Sequence, residues 1–332
     1  MVNHIRILED ALRGEKPEKI PIIPLLGVVS LDHVPYSIEE VYKNPNLMVK
    51  SLTKMARVLH VDGITPFMDL TVEAEALGCP VNLSPQGRSI KEHIYQSSLP
   101  SDLNWELSNV MVYYQRVLES LKKSLSNLPV IGYVTGPYTV LSQLISPTSL
   151  VILLMRDEEN SLSPVIYSLC KLIEEYIEIL SEAEPDALMV LEPVGCFFNP
   201  TVFREYFSDP LRSISNYIRK MGVYSLLHIC GDSSSIVGEM AKTGYLSLSL
   251  DSPVDLKEAK KYGCSVWGNL DTGLLLEASP QQIEAKTLDL LERTEGAGHI
   301  LSSGCDIRPG TSPENIYAMV KGAEKFSSRP DH

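Results

Sequence analysis

Short apolar runs alternate with longer amphipathic segments along most of the chain. The runs fall at residues 20–26 (IPIIPLL), 62–67 (DGITPF), 130–135 (VIGYVT), 187–191 (ALMVL), 224–229 (YSLLHI), 246–250 (LSLSL), 265–270 (SVWGNL) and 299–303 (HILSS). Most are continuously apolar rather than alternating, which is the pattern of parallel strands buried on both faces. Between them, residues 46–59, 162–180, 200–221, 280–293 and 314–326 carry apolar side chains at helical spacing. Pro200 and Pro280 stand where a first helical turn tolerates proline, with Asn199 and Ser279 ahead of them as N-caps. Ser312-Pro313-Glu314 opens the last helix in the same way.

Eight strands alternating with helices predict a (β/α)8 barrel, an α/β fold. The competing arrangement is an open doubly wound sheet. Neither GxGxxG nor GxxxxGK[ST] follows the first run, so a nucleotide-binding version of that sheet loses its main support. Residues 82–126 offer few strand signals and are expected to form an insertion or extra helices over one barrel mouth. Nothing in the 332 residues reads as a linker, a repeat or a low-complexity tract, so the whole chain, 1–332, is expected to fold as one domain.

Charge narrows the choice of partners. There are 42 acidic residues against 29 basic ones, a formal net charge of −13, and no Lys/Arg-rich patch. Nucleic acid and an anionic membrane both need a cationic footprint and are not expected partners. The N-terminus (MVNHIRILEDALRGEK) is charged and amphipathic, without the apolar core of a signal peptide. No uninterrupted apolar run reaches the roughly 18 residues of a membrane span. A cytoplasmic location is expected. The cysteines at 79, 170, 196, 230, 264 and 305 are scattered and are expected to stay reduced.

In barrels the chemistry gathers at the C-terminal ends of the strands. Those positions here hold Asp69, Gly136-Pro137-Tyr138, Glu192-Pro193, His228 to Asp232, Asp251-Ser252-Pro253, Asn269, Asp271 and Cys305-Asp306. The His228-x-Cys230 pair is the sharpest feature, because residues i and i+2 of a strand face the same side. Barrel closure brings Cys305, after the last strand, toward them. One imidazole and two thiols form a soft donor set that suits Zn²⁺ and leaves a tetrahedral position open. Asp251 is the leading fourth-ligand or catalytic candidate and Glu192 the second. Asn269 and Asp271 are candidates for binding substrate or orienting His228. Tyr138, Phe197, Phe198 and Trp267 are candidate apolar walls, and Asp69, Glu192 and Asn269 candidate hydrogen-bond partners of a substrate. His299 opens the last strand and is expected to be structural.

Several stretches resemble the uroporphyrinogen decarboxylase superfamily. They are LEDALRGEKPEKIPIIPLLG (8–27), MDLTVEAEALGCPV (68–81), HICGD (228–232), GNLD (268–271) and SGCDIRPGTSPENI (303–316). The resemblance spans nearly the whole chain in order and implies a (β/α)8 barrel. Asp69 falls where the decarboxylases keep an aspartate that binds pyrrole NH groups. Their arginine-rich segment after the first strand is replaced here by LLGVVSLDHV, which has no arginine. The chain is instead similar to the zinc-dependent methyltransferase branch. That resemblance implies zinc on His228, Cys230 and Cys305, and methyl transfer between a small molecule and the cobalt of a corrinoid. The chain has no DxHxxG corrinoid motif, so the corrinoid is expected on a separate partner protein. An aromatic methyl ether is the expected methyl donor, undergoing O-demethylation. The alternatives are a methylcorrinoid:thiol transfer of the coenzyme M kind, porphyrinogen decarboxylation, and a non-catalytic family member.

Overall fold

A computed structural model describes residues 2–95, 99–100, 103–156 and 162–329. Six parallel strands run in chain order: β3 (Ile131–Thr135), β4 (Ala187–Leu191), β5 (Tyr224–Ile229), β6 (Ser247–Leu250), β7 (Ser265–Leu270) and β8 (His299–Ser303). Two earlier segments close the circle without forming full ladders. Ile22 bridges Leu301 of β8, and Ile64 bridges Val130 just ahead of β3. The amide of Ile23 donates to Leu301 O, that of Leu301 to Pro21 O, and that of Asp62 to Ile22 O. These are the runs at 20–26 and 62–67. Pro21, Pro24 and Pro66 remove amide donors there, which explains why pairing is reduced to single bridges.

Inward and outward faces follow the two-residue period of the strands. Ile131, Tyr133, Ala187, Met189, Leu191, Leu226, Trp267 and Ile300 fill the barrel interior with Ile23 and Leu25. Leu8, Ala11 and Leu12 of the helix His4–Leu12 join that cluster and close the end opposite the site. The alternate residues, such as Leu188, Val190, Leu227 and Leu248, pack outward under the helices in a second, larger core.

The helices at 46–59, 162–180, 280–293 and 314–326 form within a residue of their expected bounds, as Pro45–Leu59, Ser163–Ser181, Pro280–Thr294 and Pro313–Ser327. Asn199 and Ser279 cap their helices through their side chains. The expected helix at 200–221 is interrupted by a π-helical turn, Phe203–Phe207, before it resumes as Ser208–Lys220. The segment after residue 80 holds an antiparallel hairpin, β1 (Val81–Ser84) with β2 (Gly87–Ile90), and the helix Asn109–Ser124. Among the described residues no single helix is long and apolar enough to cross a membrane; one pair bent by 109°, Pro137–Ile145 with Pro147–Met155, meets the length and composition of a span.

Candidate metal centre

His228 is the fifth residue of β5 and faces the interior, fully buried. In the parallel register it stands opposite Ser249 of β6. Its Nδ1 lies 2.9 Å from Ser249 Oγ and its Nε2 2.8 Å from Cys230 Sγ. Cys305, arriving from β8 across the barrel, places its Sγ 3.2 Å from Cys230 Sγ and 3.9 Å from His228 Nε2. The three donor atoms all lie within 4.8 Å of one another. Tetrahedral zinc with bonds of about 2.0–2.3 Å spaces its ligands by roughly 3.5 Å, so the triangle has the size and softness for such an ion. With Ser249 taking the Nδ1 proton, the Nε2 lone pair is turned toward the two thiols. Of those thiols, Cys305 is the one pushed toward thiolate. The Cys230 thiol donates to it, and His228 adds to the effect against the cost of burial. Cys230, as donor, is pushed the other way.

The carboxylates around this triangle are placed differently from the sequence expectation. Asp251 accepts from the amides of Gly231 (2.9 Å) and Ser252 (2.6 Å) and stays outside the three-donor cluster. It therefore braces the loop that carries Cys230. Glu192 is fully buried, and it accepts from the amides of Tyr138 and Thr139 and from the Thr139 hydroxyl. It caps the helix Pro137–Ile145 from the end of the neighbouring strand β4, where Gly136 has no side chain to do so. A Cβ at Gly136 would lie 2.4 Å from Glu192 Oε2, so only glycine admits this cap. Burial pushes the Glu192 carboxyl up to about 7, against those hydrogen bonds.

Asp69 is committed as well. Its Oδ1 accepts from Thr71 N and Oγ1, and its Oδ2 from Arg88 (3.0 Å) and Tyr114 (3.2 Å). Arg88 also pairs with Glu75 at 2.6 Å, so this arginine of the hairpin is neutralised twice over. The Asn269 amide donates to the carbonyls of Asp251 (3.0 Å) and Val254 (2.7 Å), which fixes the loop after β6. Asp271 caps the helix Thr272–Glu277 and accepts from Ser252 Oγ. Both Asn269 N–H groups and both Asp271 oxygens are thus engaged within the loops of the mouth.

The expected aromatic walls are corrected by the structure. Trp267 is 0% exposed and sits in the interior core. The two-residue period puts it opposite Ser249, one layer away from the mouth that Asn269 lines. Tyr138 is buried, stacked on Phe207, with its hydroxyl donating to Tyr206 O. Phe198 is buried against Phe207. Phe197 points outward, 69% exposed. His299 is fully buried, within hydrogen-bonding distance of Thr294 Oγ1 and Gly268 O, and burial pushes it down to about 4, so it stays neutral.

Ser249 has no signal in the sequence, and Asp306 stands there as a strand-end residue without a role. Ser249 is an unremarkable strand residue until the β5–β6 register is known. Burial, followed by the Cys305 charge, pushes the Asp306 carboxyl well above the usual range. A third thiol, Cys196, stands beside Gly231 at the rim, 3.4 Å from where a Cβ there would lie.

Comparison with known proteins gives a consistent picture. The family model for uroporphyrinogen decarboxylase (URO-D) matches residues 4–326. A methylcobamide:CoM methyltransferase, MtaA, of Methanosarcina barkeri is 28% identical over 95% of this chain and 96% of its own. A uroporphyrinogen decarboxylase of Koribacter versatilis is 24% identical over 89% of this chain and 87% of its own. Among solved structures, a methyltransferase from Methanosarcina mazei superposes with a TM-score of 0.87 at 24% identity, covering 98% of this chain and 99% of that one. This last likeness confirms the barrel.

Proposed function

This chain belongs to the uroporphyrinogen decarboxylase family, and within that family we propose that it is a zinc-dependent, corrinoid-linked methyltransferase. The observation that carries the proposal is the convergence of His228 Nε2, Cys230 Sγ and Cys305 Sγ at the barrel mouth. The similarity to a methylcobamide:CoM methyltransferase over nearly the whole chain points the same way. A porphyrinogen decarboxylase must hold several substrate carboxylates with cations. Arg88, the arginine beside Asp69, is already spent on Asp69 and Glu75.

Bound to this triangle, zinc supplies a Lewis acid that lowers the pKa of a thiol and keeps it as thiolate at neutral pH. The chain's own residues prepare the place. Ser249 orients the His228 ring, Asp251 braces the Gly231 amide, and Asn269 ties down the loop that bears Asp251. The methyl group comes on the cobalt of a separate corrinoid protein that docks over the mouth. The S–CH3 bond forms as the Co–CH3 bond breaks, the cobalt keeps the electron pair, and the thiol proton leaves to solvent.

We favour a thiol as methyl acceptor over an aromatic methyl ether as donor. The ether reading relied on an aromatic pocket wall, and Trp267 and Tyr138 belong to the core instead. The test is elemental analysis after exhaustive dialysis at neutral pH. About one zinc per chain, lost in Cys230→Ala, is the expected result. Protein that stays metal-free after zinc is offered overturns the proposal.

A further inference from the structure

One carboxylate touches both loops that carry the thiols. Asp251 follows β6, and its Oδ2 accepts from the amide of Gly231, the residue after Cys230, at 2.9 Å. Its Oδ1 accepts from Ser252 N at 2.6 Å. On its other side it abuts Gly304, the residue before Cys305. A Cβ at residue 304 would lie 2.6 Å from Asp251 Oδ1 and 2.7 Å from Ser252 N. Gly304 is itself tied to β7, its amide donating to Leu270 O at 2.7 Å. Gly231 has φ +76°, a conformation that glycine adopts without strain. Asp251 therefore stands as a wedge between the two cysteine-bearing loops.

The wedge is itself held. Asn269 donates to the carbonyls of Asp251 and Val254, the Val254 amide donates to Asp251 O at 3.0 Å, and Ser252 Oγ donates to Asp271. The loop that presents the carboxylate is thus fixed at several points. The Sγ atoms of Cys230 and Cys305, 3.2 Å apart, meet at a spacing set by two loops and the residue between them. Ligand spacing decides which metal–sulfur bond lengths fit, and sites choose among soft metals by geometry more than by raw affinity. Residues that orient ligands without binding the metal change its affinity by about 10–100-fold.

We propose that Asp251 is the positioning residue that sets the spacing of the Cys230 and Cys305 thiols, and through it the preference of the site for zinc over a larger thiophilic cation such as Cd²⁺. It acts as a wedge, outside the metal's ligand shell. The proposal deepens the zinc reading of this triangle and rests on it. With both loops held, the site fits an ion with short bonds to sulfur and strains to admit one with longer bonds. With the wedge removed, the Gly231 amide loses its acceptor, the two loops move independently, and the penalty on the larger ion falls. Gly304 is required for the same reason. A methyl group there presses on Asp251 and on the Ser252 backbone, and displaces the wedge without removing a donor atom or the carboxylate.

The experiment measures Kd for Zn²⁺ and for Cd²⁺ by competition with a chelator, on the full chain and on Asp251→Ala, Asp251→Asn and Gly304→Ala. Asp251→Ala and Gly304→Ala should each weaken zinc by about 10–100-fold and cadmium less, shifting the ratio of the two constants toward cadmium by about threefold or more. Asp251→Asn keeps an oxygen for the Gly231 amide and should stay within about tenfold of the unmodified protein. Unchanged zinc binding in Asp251→Ala overturns the inference. So does weakening of both ions by the same factor, which is what a merely structural role gives. A weak Asp251→Ala beside an unaffected Gly304→Ala also overturns it, and makes Asp251 a ligand. Should Asp251→Ala not fold, Gly304→Ala and Asp251→Asn carry the comparison. If the unmodified protein takes up neither ion, the zinc reading fails, and amide exchange in the metal-free protein decides the wedge. Asp251→Ala should then speed exchange at Gly231 and, across the wedge, at Gly304 by about tenfold; unchanged exchange at Gly304 overturns the inference.

Discussion

Glu73 and Glu192 fasten the same turn, the one that leaves β3. Glu192 takes the amides of Tyr138 and Thr139. Glu73 takes the amide of Thr135 at 2.7 Å, and its second oxygen is buried without a partner. Burial pushes the Glu73 carboxyl up to about 8 from its ordinary 4.5, against the Thr135 hydrogen bonds. A group raised in the folded state binds its proton more tightly there than in the unfolded chain. Its contribution is therefore full below about pH 4.5 and is lost as the pH rises through 8. Glu192, raised to about 7, acts in the same direction over a narrower window. Chemical denaturation should find the protein less stable at pH 8 than at pH 6, by up to about 1.4 kcal/mol per pH unit for each group. Glu73→Gln, which mimics the protonated acid, should flatten that slope. An unchanged slope would mean that Glu73 ionises freely in the fold. At this scale the sequence was informative where chemistry is rare. His228, Cys230 and Cys305 stand out because soft donors at strand ends are uncommon. Ser249 did not, because a hydroxyl on a strand acquires meaning only from its neighbour across the sheet.

Asp62 shows how the two proline-bearing segments keep their place. Its side chain is fully buried. One oxygen accepts from the amide of Ile22 at 3.0 Å, and the other meets Lys19 Nζ at 2.8 Å and His4 Nδ1 at 2.9 Å. One carboxylate thus ties together the 20–26 and 62–67 segments and the helix His4–Leu12. Asp62→Ala should cost about 2–4 kcal/mol, read as a lowered denaturant midpoint, because it strands a buried amide and unpairs Lys19. A change under about 0.5 kcal/mol would show that the barrel closes without this tie. The apolar runs revealed all eight staves of the barrel because each is buried on both faces. The hairpin at 81–90 was missed because Asn82, Ser84 and Arg88 give it too few apolar positions to show a period. The π-helical turn at 203–207 carries the same apolar spacing as the helix around it. Trp267 was misjudged for a related reason: the run SVWGNL shows that a strand is there, but not how far each residue lies from the mouth.

The molecule as a whole is a barrel closed at one end by the helix His4–Leu12 and chemically equipped at the other. Between the two ends lies Trp267, fully buried, in register with Ser249, which in turn holds His228. Its indole nitrogen has no partner. The chain has two tryptophans, and the second, Trp105, is partly exposed and bonded to Glu175 on the outer surface. A Trp105→Phe protein would therefore carry one tryptophan, excited apart from the tyrosines at long wavelength and set between the sealed floor and the reactive rim. Its emission should be blue-shifted and poorly quenched by iodide, and should change in intensity when zinc or a thiol is added; no response to either would mean that the layer beneath His228 stays unperturbed when the mouth is filled. The residue that looked like a wall of the pocket is instead a built-in optical gauge of its occupancy.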